Sequence, residues 1–394
     1  MAILLWFAVA GMAAFWIAPA SVMSVVSRDL AISSTGVSWL VSIFIIGMTA
    51  LSLPAGMILD RRDNRLAILV MAVSFFGCTV WAWVAGTAGD FWSLMAARFL
   101  SGGVEVIFWI ASINLVGTAF LESRQGTAIG FMLTSIPGGF AIAHMTTPIL
   151  ADIVGWQRSF LVFGGWALIA AVVFCIYSRG IDIRTHISTP TREDFVTVFR
   201  NRWVWAVGAI GFSAFSLNLF FNNWLPTYLV DEFGFSLAQG GIFAAVFPAI
   251  GAVARIVSGS ISDRLMGGRR KPIVFGSFVA IAPLVVLIAL VRTVGLLIVV
   301  LVIAGFVTQM GLALLLPYVR ELVDPHVAGT ALSVLNLVGF VGAFSAPIIT
   351  GVIIERTGGY TMAFVYATVL AVIGVVLAWI VPDTVQSKSI SHSR

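Results

Sequence analysis

The chain has 394 residues, 60% of them hydrophobic and 10% charged, with a mean hydropathy of +1.06. A soluble domain carries about 25% charged residues, so this composition excludes a soluble globular protein and indicates an integral membrane protein with many spans. The net charge of +5 is of the sign that nucleic-acid binders carry, but its distribution along the chain fits membrane topology and no nucleic-acid partner.

A spanning helix needs about 20 mostly apolar residues. Breaking the chain at charged and Gly/Pro-rich points predicts twelve, at about 3–26, 37–57, 66–87, 91–118, 126–150, 159–177, 203–226, 238–259, 272–291, 295–318, 328–352 and 361–381. The first lacks the basic region that opens a signal peptide and is read as a span; almost no tail precedes it, so a start a few residues upstream fits equally well. Closed barrels would show short alternating segments instead. The longest polar connection, 178–202, divides the chain into two six-span halves, 1–177 and 203–394.

With the N-terminus in the cytoplasm, sixteen of the 22 Lys and Arg residues fall in cytoplasmic segments. Four (Arg28, Arg158, Arg292 and Arg356) fall outside, and Arg98 and Arg255 lie within spans. This is a positive-inside bias and predicts cytoplasmic termini in a bacterial inner membrane. Cys78 and Cys175 lie in apolar runs, which argues against a disulfide framework or a cysteine metal site.

Shifting the first half by 203 residues places Gly56 on Gly259, Asp60 on Asp263, Arg61 on Arg264, Gly102 on Gly305, Gly126-Thr127-Ala128 on Gly329-Thr330-Ala331 and Gly155 on Gly358. Apolar coincidences are cheap in this composition; these are not. The reading is an all-α polytopic membrane protein whose twelve transmembrane helices form two six-helix pseudo-repeats. Parallel repeats of this kind place a substrate site near the midplane.

"GMILDRRDNR", residues 56–65, lies between the second and third predicted spans, and its second copy, "GSISDRLMGGRRK", residues 259–271, between the eighth and ninth. Both resemble the signature loop of the major facilitator superfamily, although Asp63 stands in the first copy where glycine is usual. "LMAARFLSGG", residues 94–103, is similar to a second signature of that family, with Arg98 and Gly102 in place. The resemblance covers the whole chain. It implies a secondary transporter working by alternating access, without enzymatic activity or cofactor and functional as a monomer. It assigns a gating role to Gly56, Asp60, Arg61, Arg65, Gly259, Asp263 and Arg264. The fifth-span signature of drug exporters is poorly matched by "SIPGGFAIAH", residues 135–144.

Ionisable groups inside spans are functional candidates by default. Arg98, Glu105 and Trp109 fall within about 40° on one helix face at about 100° per residue. Glu105 is the only carboxylate deep in a span and is the candidate for proton coupling, with Arg98 and His144 beside it; a structural ion pair or a hydrogen-bonded histidine is the bland alternative. Arg255 stands eight residues before Asp263, about 12 Å into its helix and so near the midplane, unless its side chain snorkels. It is the candidate anion-binding group. Family members that move carboxylates or nitrate often carry an arginine here, but the extra second-span arginine usual in the nitrate type is missing from 39–56. Asn218 and Asn222, one turn apart, with Trp109, Gln309 and Asn336, are further substrate-binding candidates. Helix breaking near Pro226 is the competing account of the asparagines.

No Walker loop, nucleophile–base spacing or metal-ligand cluster is found in the sequence. The functional expectation is a proton-coupled transporter of a small organic anion, a monocarboxylate above others. The alternatives are an exporter of drugs or of neutral or cationic metabolites, an inorganic anion transporter of the nitrate, nitrite or cyanate type, and a non-transporting membrane sensor.

Overall fold

The computed structural model describes residues 1–59, 64–120, 122–178 and 192–383. Its helices in chain order are α1 (Ala2–Ser21), α2 (Met23–Asp29), α3 (Ser34–Leu59), α4 (Asn64–Ala88), α5 (Phe91–Ala119), α6 (Glu122–Leu133), α7 (Ser135–Val154) and α8 (Trp156–Tyr177). Then follow α9 (Arg192–Arg200), α10 (Arg202–Phe233), α11 (Leu237–Leu265), α12 (Lys271–Leu290), α13 (Val294–Glu321), the 3-10 turn Pro325–Val327, α14 (Ala328–Thr357) and α15 (Thr361–Ile380). Twelve stretches are long and apolar enough to cross a membrane, and the fold is the all-α, twelve-span one expected.

Two departures from the expected boundaries lie beside prolines. The first span breaks at Val22 (φ −137°, ψ 38°), three residues after Pro19, so that α2 starts afresh. The fifth span is interrupted at Thr134, between α6 and α7. Pro137 stands in the first turn of α7, where a missing N–H costs nothing. The Thr134 hydroxyl donates to the Phe131 carbonyl at 2.7 Å and accepts from Trp6 Nε1 at 2.8 Å, which ties the break to α1. At Pro226 the expected break does not occur: α10 continues to Phe233. Pro226 still supplies no N–H to the Asn222 carbonyl one turn earlier. Gly155 (φ 87°) and Gly358 (φ 71°), paired by the 203-residue offset, both turn the chain between helices in conformations that favour glycine.

The chain forms two compact units. The first contains 1–187 and also 222–252, the end of α10 and rather more than the first half of α11. Within it α1 packs against α3, α5, α7 and α8, and α4 against α5 and α8. The tightest crossing is reciprocal. A Cβ on Gly47 of α3 would stand 1.9 Å from the Phe99 carbonyl oxygen, and one on Gly102 of α5 would stand 1.9 Å from that of Phe44. Small residues permit this contact of main chain with main chain. The second unit contains 188–221 and 253–394; there α12 packs on α13 and α15, and α9 on α14.

Candidate functional site

In the second unit three candidate residues from three helices join into one chain of hydrogen bonds. Arg255 of α11 donates from Nε to Gln309 Oε1 of α13 at 2.9 Å, and Gln309 donates from Nε2 to Asn218 Oδ1 of α10 at 2.7 Å. Gln309 and Asn218 are buried and Arg255 is half-buried. Helix geometry dictates this meeting. Arg255 lies eight residues from Asp263, which is close to the α11 terminus, and Gln309 lies twelve from the end of α13 at Glu321. Both therefore sit about 12–18 Å from the same end of their helices. A guanidinium suits a carboxylate in two-pronged fashion, and the neighbouring amides can donate to or accept from hydroxyls. Asn336 of α14 is half-buried and stands outside this chain of bonds.

The first unit carries a different polar set. Arg98 of α5 is fully buried. Its guanidinium donates to the backbone carbonyls of Leu40, Phe15 and Trp16, so it ties α5 to α3 and α1. The ring centroids of Phe15, Phe44 and Phe160 lie 4.9, 5.8 and 5.7 Å from Arg98 Cζ, within cation–π range. Glu105 is buried on the same helix, and its Oε2 has no hydrogen-bond partner among the described residues. Trp109, one turn on, is half-buried. Trp16 is a packing residue: it stacks on Phe44 at 5.4 Å and donates from Nε1 to the Val41 carbonyl at 3.2 Å.

His144 of α7 is fully buried, with Nδ1 2.9 Å from Ser21 Oγ, and its ring interacts with Asn222. Asn223 donates from Nδ2 to Ser38 Oγ at 3.0 Å. A Cβ on Gly241 of α11 would stand 2.1 Å from the His144 carbonyl oxygen. Segment 222–252 is thus fastened to α3 and α7 within one compact unit, and His144 of α7 is in turn held by Ser21 of α1. Asn218 and Asn222, adjacent on one helix, consequently serve in different units. Sequence reasoning gave no reason to single out Ser21, Ser38 or Gly241, because serines and glycines in apolar spans are common and their partners are remote in the chain.

Of the first signature loop, Asp60 and Arg61 lie outside the described residues, as do the surroundings of Gly56. Arg65 opens α4, where its carbonyl accepts from Cys175 Sγ at 3.7 Å. The second copy is fully described. Gly267 (φ 60°) and Gly268 (φ 80°) make its turn. Asp263 Oδ1 pairs with Arg270 Nη1 at 2.7 Å, and Arg270 Nε reaches Glu321 Oε1 at the end of α13 at 3.1 Å. Arg269 pairs with Asp383, just beyond α15, with Nε 2.6 Å from Oδ2. Asp263 therefore engages a neighbouring helix end through Arg270, whereas Arg264 is exposed. The basic run at 269–271 was visible in the sequence; its acidic partners, 51 and 114 residues away, were not.

The family model of the Major Facilitator Superfamily matches residues 3–347 and 268–394. The chain belongs to the Major Facilitator Superfamily. Members of this superfamily are membrane transporters and not enzymes, in keeping with the twelve spans. Among the described residues no group of three or more His, Cys, Asp or Glu is placed to hold a metal ion. The probable L-galactonate transporter of Escherichia coli is 24% identical over 377 residues, covering 86% of this chain and 79% of its own. The hexuronate transporter of Bacillus subtilis is 25% identical, with 88% and 86% covered, and the nitrite extrusion protein of the same species 23% identical, with 92% and 89% covered. The crystal structure of a bacterial homologue of the human lysosomal transporter Spinster, inward-facing and unoccupied, superposes with a TM-score of 0.75 over 96% of both chains at 15% identity. That likeness concerns the fold.

Proposed function

We propose that this superfamily member is a secondary transporter of small organic anions, sugar acids or related monocarboxylates, that it works by alternating access, and that it couples transport to protons. The observation that carries the substrate class is the Arg255–Gln309–Asn218 chain. A polyhydroxy carboxylate presents one charge for a guanidinium and several hydroxyls for amides. The relatives named for L-galactonate and hexuronate support the same class. Trp109, Asn222 and Asn336 are the further residues assigned to the pathway. The termini are cytoplasmic in this reading, and one chain with two halves completes a pathway as a monomer.

Counterflow in proteoliposomes tests the class. Labelled aldonates or hexuronates exchange, while cationic dyes do not; exchange of dyes alone overturns the proposal. Inorganic anions are the second reading, favoured by the nitrite extrusion relative; exchange of nitrite without any sugar acid selects it.

Glu105 is assigned the coupled proton, because a carboxyl oxygen buried without a partner is well placed to bind one. Glu105→Gln is expected to retain counterflow and to lose accumulation driven by a proton gradient. Undiminished gradient-driven accumulation in that variant removes the assignment.

A further inference from the structure

Helix α9 lies in the long connection that the sequence reading treated as polar loop, and nothing in the transport reading uses it. Its nine residues run Arg192–Arg200, directly before α10. Val198 is buried, and Asn201 Nδ2 reaches the Leu322 carbonyl at 3.5 Å, so one side of the segment is fixed to the second unit. Val196 and Phe199 point elsewhere, 49% and 48% exposed. At about 100° per residue they stand about 60° apart and on the side away from Val198.

That exposed apolar edge does not end in water. The Phe199 ring lies 5.5 Å from the Trp205 ring, edge to face, and Trp205 donates from Nε1 to the Phe199 carbonyl at 2.9 Å. Trp205 is 40% exposed and sits in the first turn of a membrane span, at the level where tryptophan marks the edge of the bilayer. The apolar edge of α9 is therefore continuous with the lipid-facing surface of α10. Two cations flank it: Arg200 and Arg202 are both exposed, and Arg202 Cζ stands 4.6 Å from the Trp203 ring centroid. An apolar edge at interfacial depth with exposed arginines beside it is the pattern of a helix lying in the membrane surface.

We infer that α9 is an interfacial helix that docks on anionic phospholipid, with Val196, Phe199 and Trp205 in the acyl boundary and Arg200 and Arg202 on the headgroup phosphates. The inference is independent of the transported substrate.

Spin labels test it. Cysteines at 199 and at 197 are introduced singly after replacing Cys78 and Cys175, and the protein is reconstituted in vesicles of phosphatidylcholine, alone or with phosphatidylglycerol. The label at 199 is expected to be reached by oxygen and shielded from a water-soluble nickel chelate, and the label at 197 the reverse. Phosphatidylglycerol is expected to deepen the 199 label severalfold in oxygen-to-nickel ratio, and Arg200→Gln/Arg202→Gln to abolish that increment. A label at 199 as open to nickel as that at 197 overturns the docking; a depth independent of phosphatidylglycerol overturns the headgroup assignment. With the unmodified protein, a photoreactive phosphatidylglycerol should crosslink the peptide that contains α9, and excess inorganic phosphate should not compete. Absence of that crosslink, or its loss to free phosphate, overturns the lipid partner.

Discussion

Arg98 and Arg255 are chemically the same residue, each inside a membrane-spanning helix, yet their surroundings give them different work. Arg98 spends its donors on three main-chain carbonyls and its planar face on three phenylalanines. Arg98→Met leaves those carbonyls short of a donor in a buried site, and we expect a loss of about 3 kcal/mol in stability, read as a lowered unfolding temperature in detergent. Arg255 instead meets the side-chain amide of Gln309. Arg255→Ala is expected to keep the unfolding temperature and to lose sugar-acid counterflow by at least about tenfold, a loss of at least about 1.4 kcal/mol. Arg255→Lys should retain a fraction if charge suffices and almost none if the two-pronged fork matters. Wild-type counterflow in Arg255→Ala removes the residue from the site. Both arginines were visible in the sequence as charges within spans. Their division of labour was not, because it depends on which carbonyls and amides the neighbouring helices bring to them.

Helices were legible where their signals are local. The twelve apolar runs were read correctly, since length and hydropathy are properties of adjacent residues. The interruption at Thr134 escaped notice although Pro137 announces it, because a proline in a first turn looks the same as one inside a long span. Helix α9 was missed because five of its nine residues are polar or charged. The fastening of segment 222–252 to α3 and α7 is the largest feature beyond the reach of sequence. Alternating access requires some such contact to open. A valine at Gly241 would drive its side chain into the His144 carbonyl, where even a Cβ stands at 2.1 Å, and should hold this contact apart. In Gly241→Val/Ser38→Cys, thiol labelling at 38 is expected to be faster than in Ser38→Cys alone, since Ser38 is fully buried and held by Asn223. Equal rates would mean that the contact closes in spite of the valine.

At the scale of the whole molecule, the proposed orientation rests on the sequence, which assigns sixteen Lys and Arg to cytoplasmic segments and four to external ones. In that orientation Met266, 41% exposed, lies on the cytoplasmic side, and Arg292, also exposed, on the other. With Cys78 and Cys175 replaced, Arg292→Cys should be labelled by an impermeant thiol reagent in intact cells, and Met266→Cys only after permeabilisation. The opposite pattern would invert the topology and with it the leaflet that α9 meets. The Asp263–Arg270 pair of this loop adds little to stability. Asp263 is 62% exposed in its pair with Arg270, and such pairs contribute about 0–1 kcal/mol.

Where α3 crosses α5, each helix presents a glycine to a carbonyl of the other. Such a joint has no side chain to trim and none to enlarge. A single replacement at Gly47 or Gly102 collides with main chain, which cannot rotate out of the way as a side chain can. Random variation should therefore find the joint closed to one-step change, while lipid-facing positions such as Val73 or Val84 stay open to it. Stabilised versions of this transporter are better sought on those outer faces than at the crossing, which is already as close as two backbones can come.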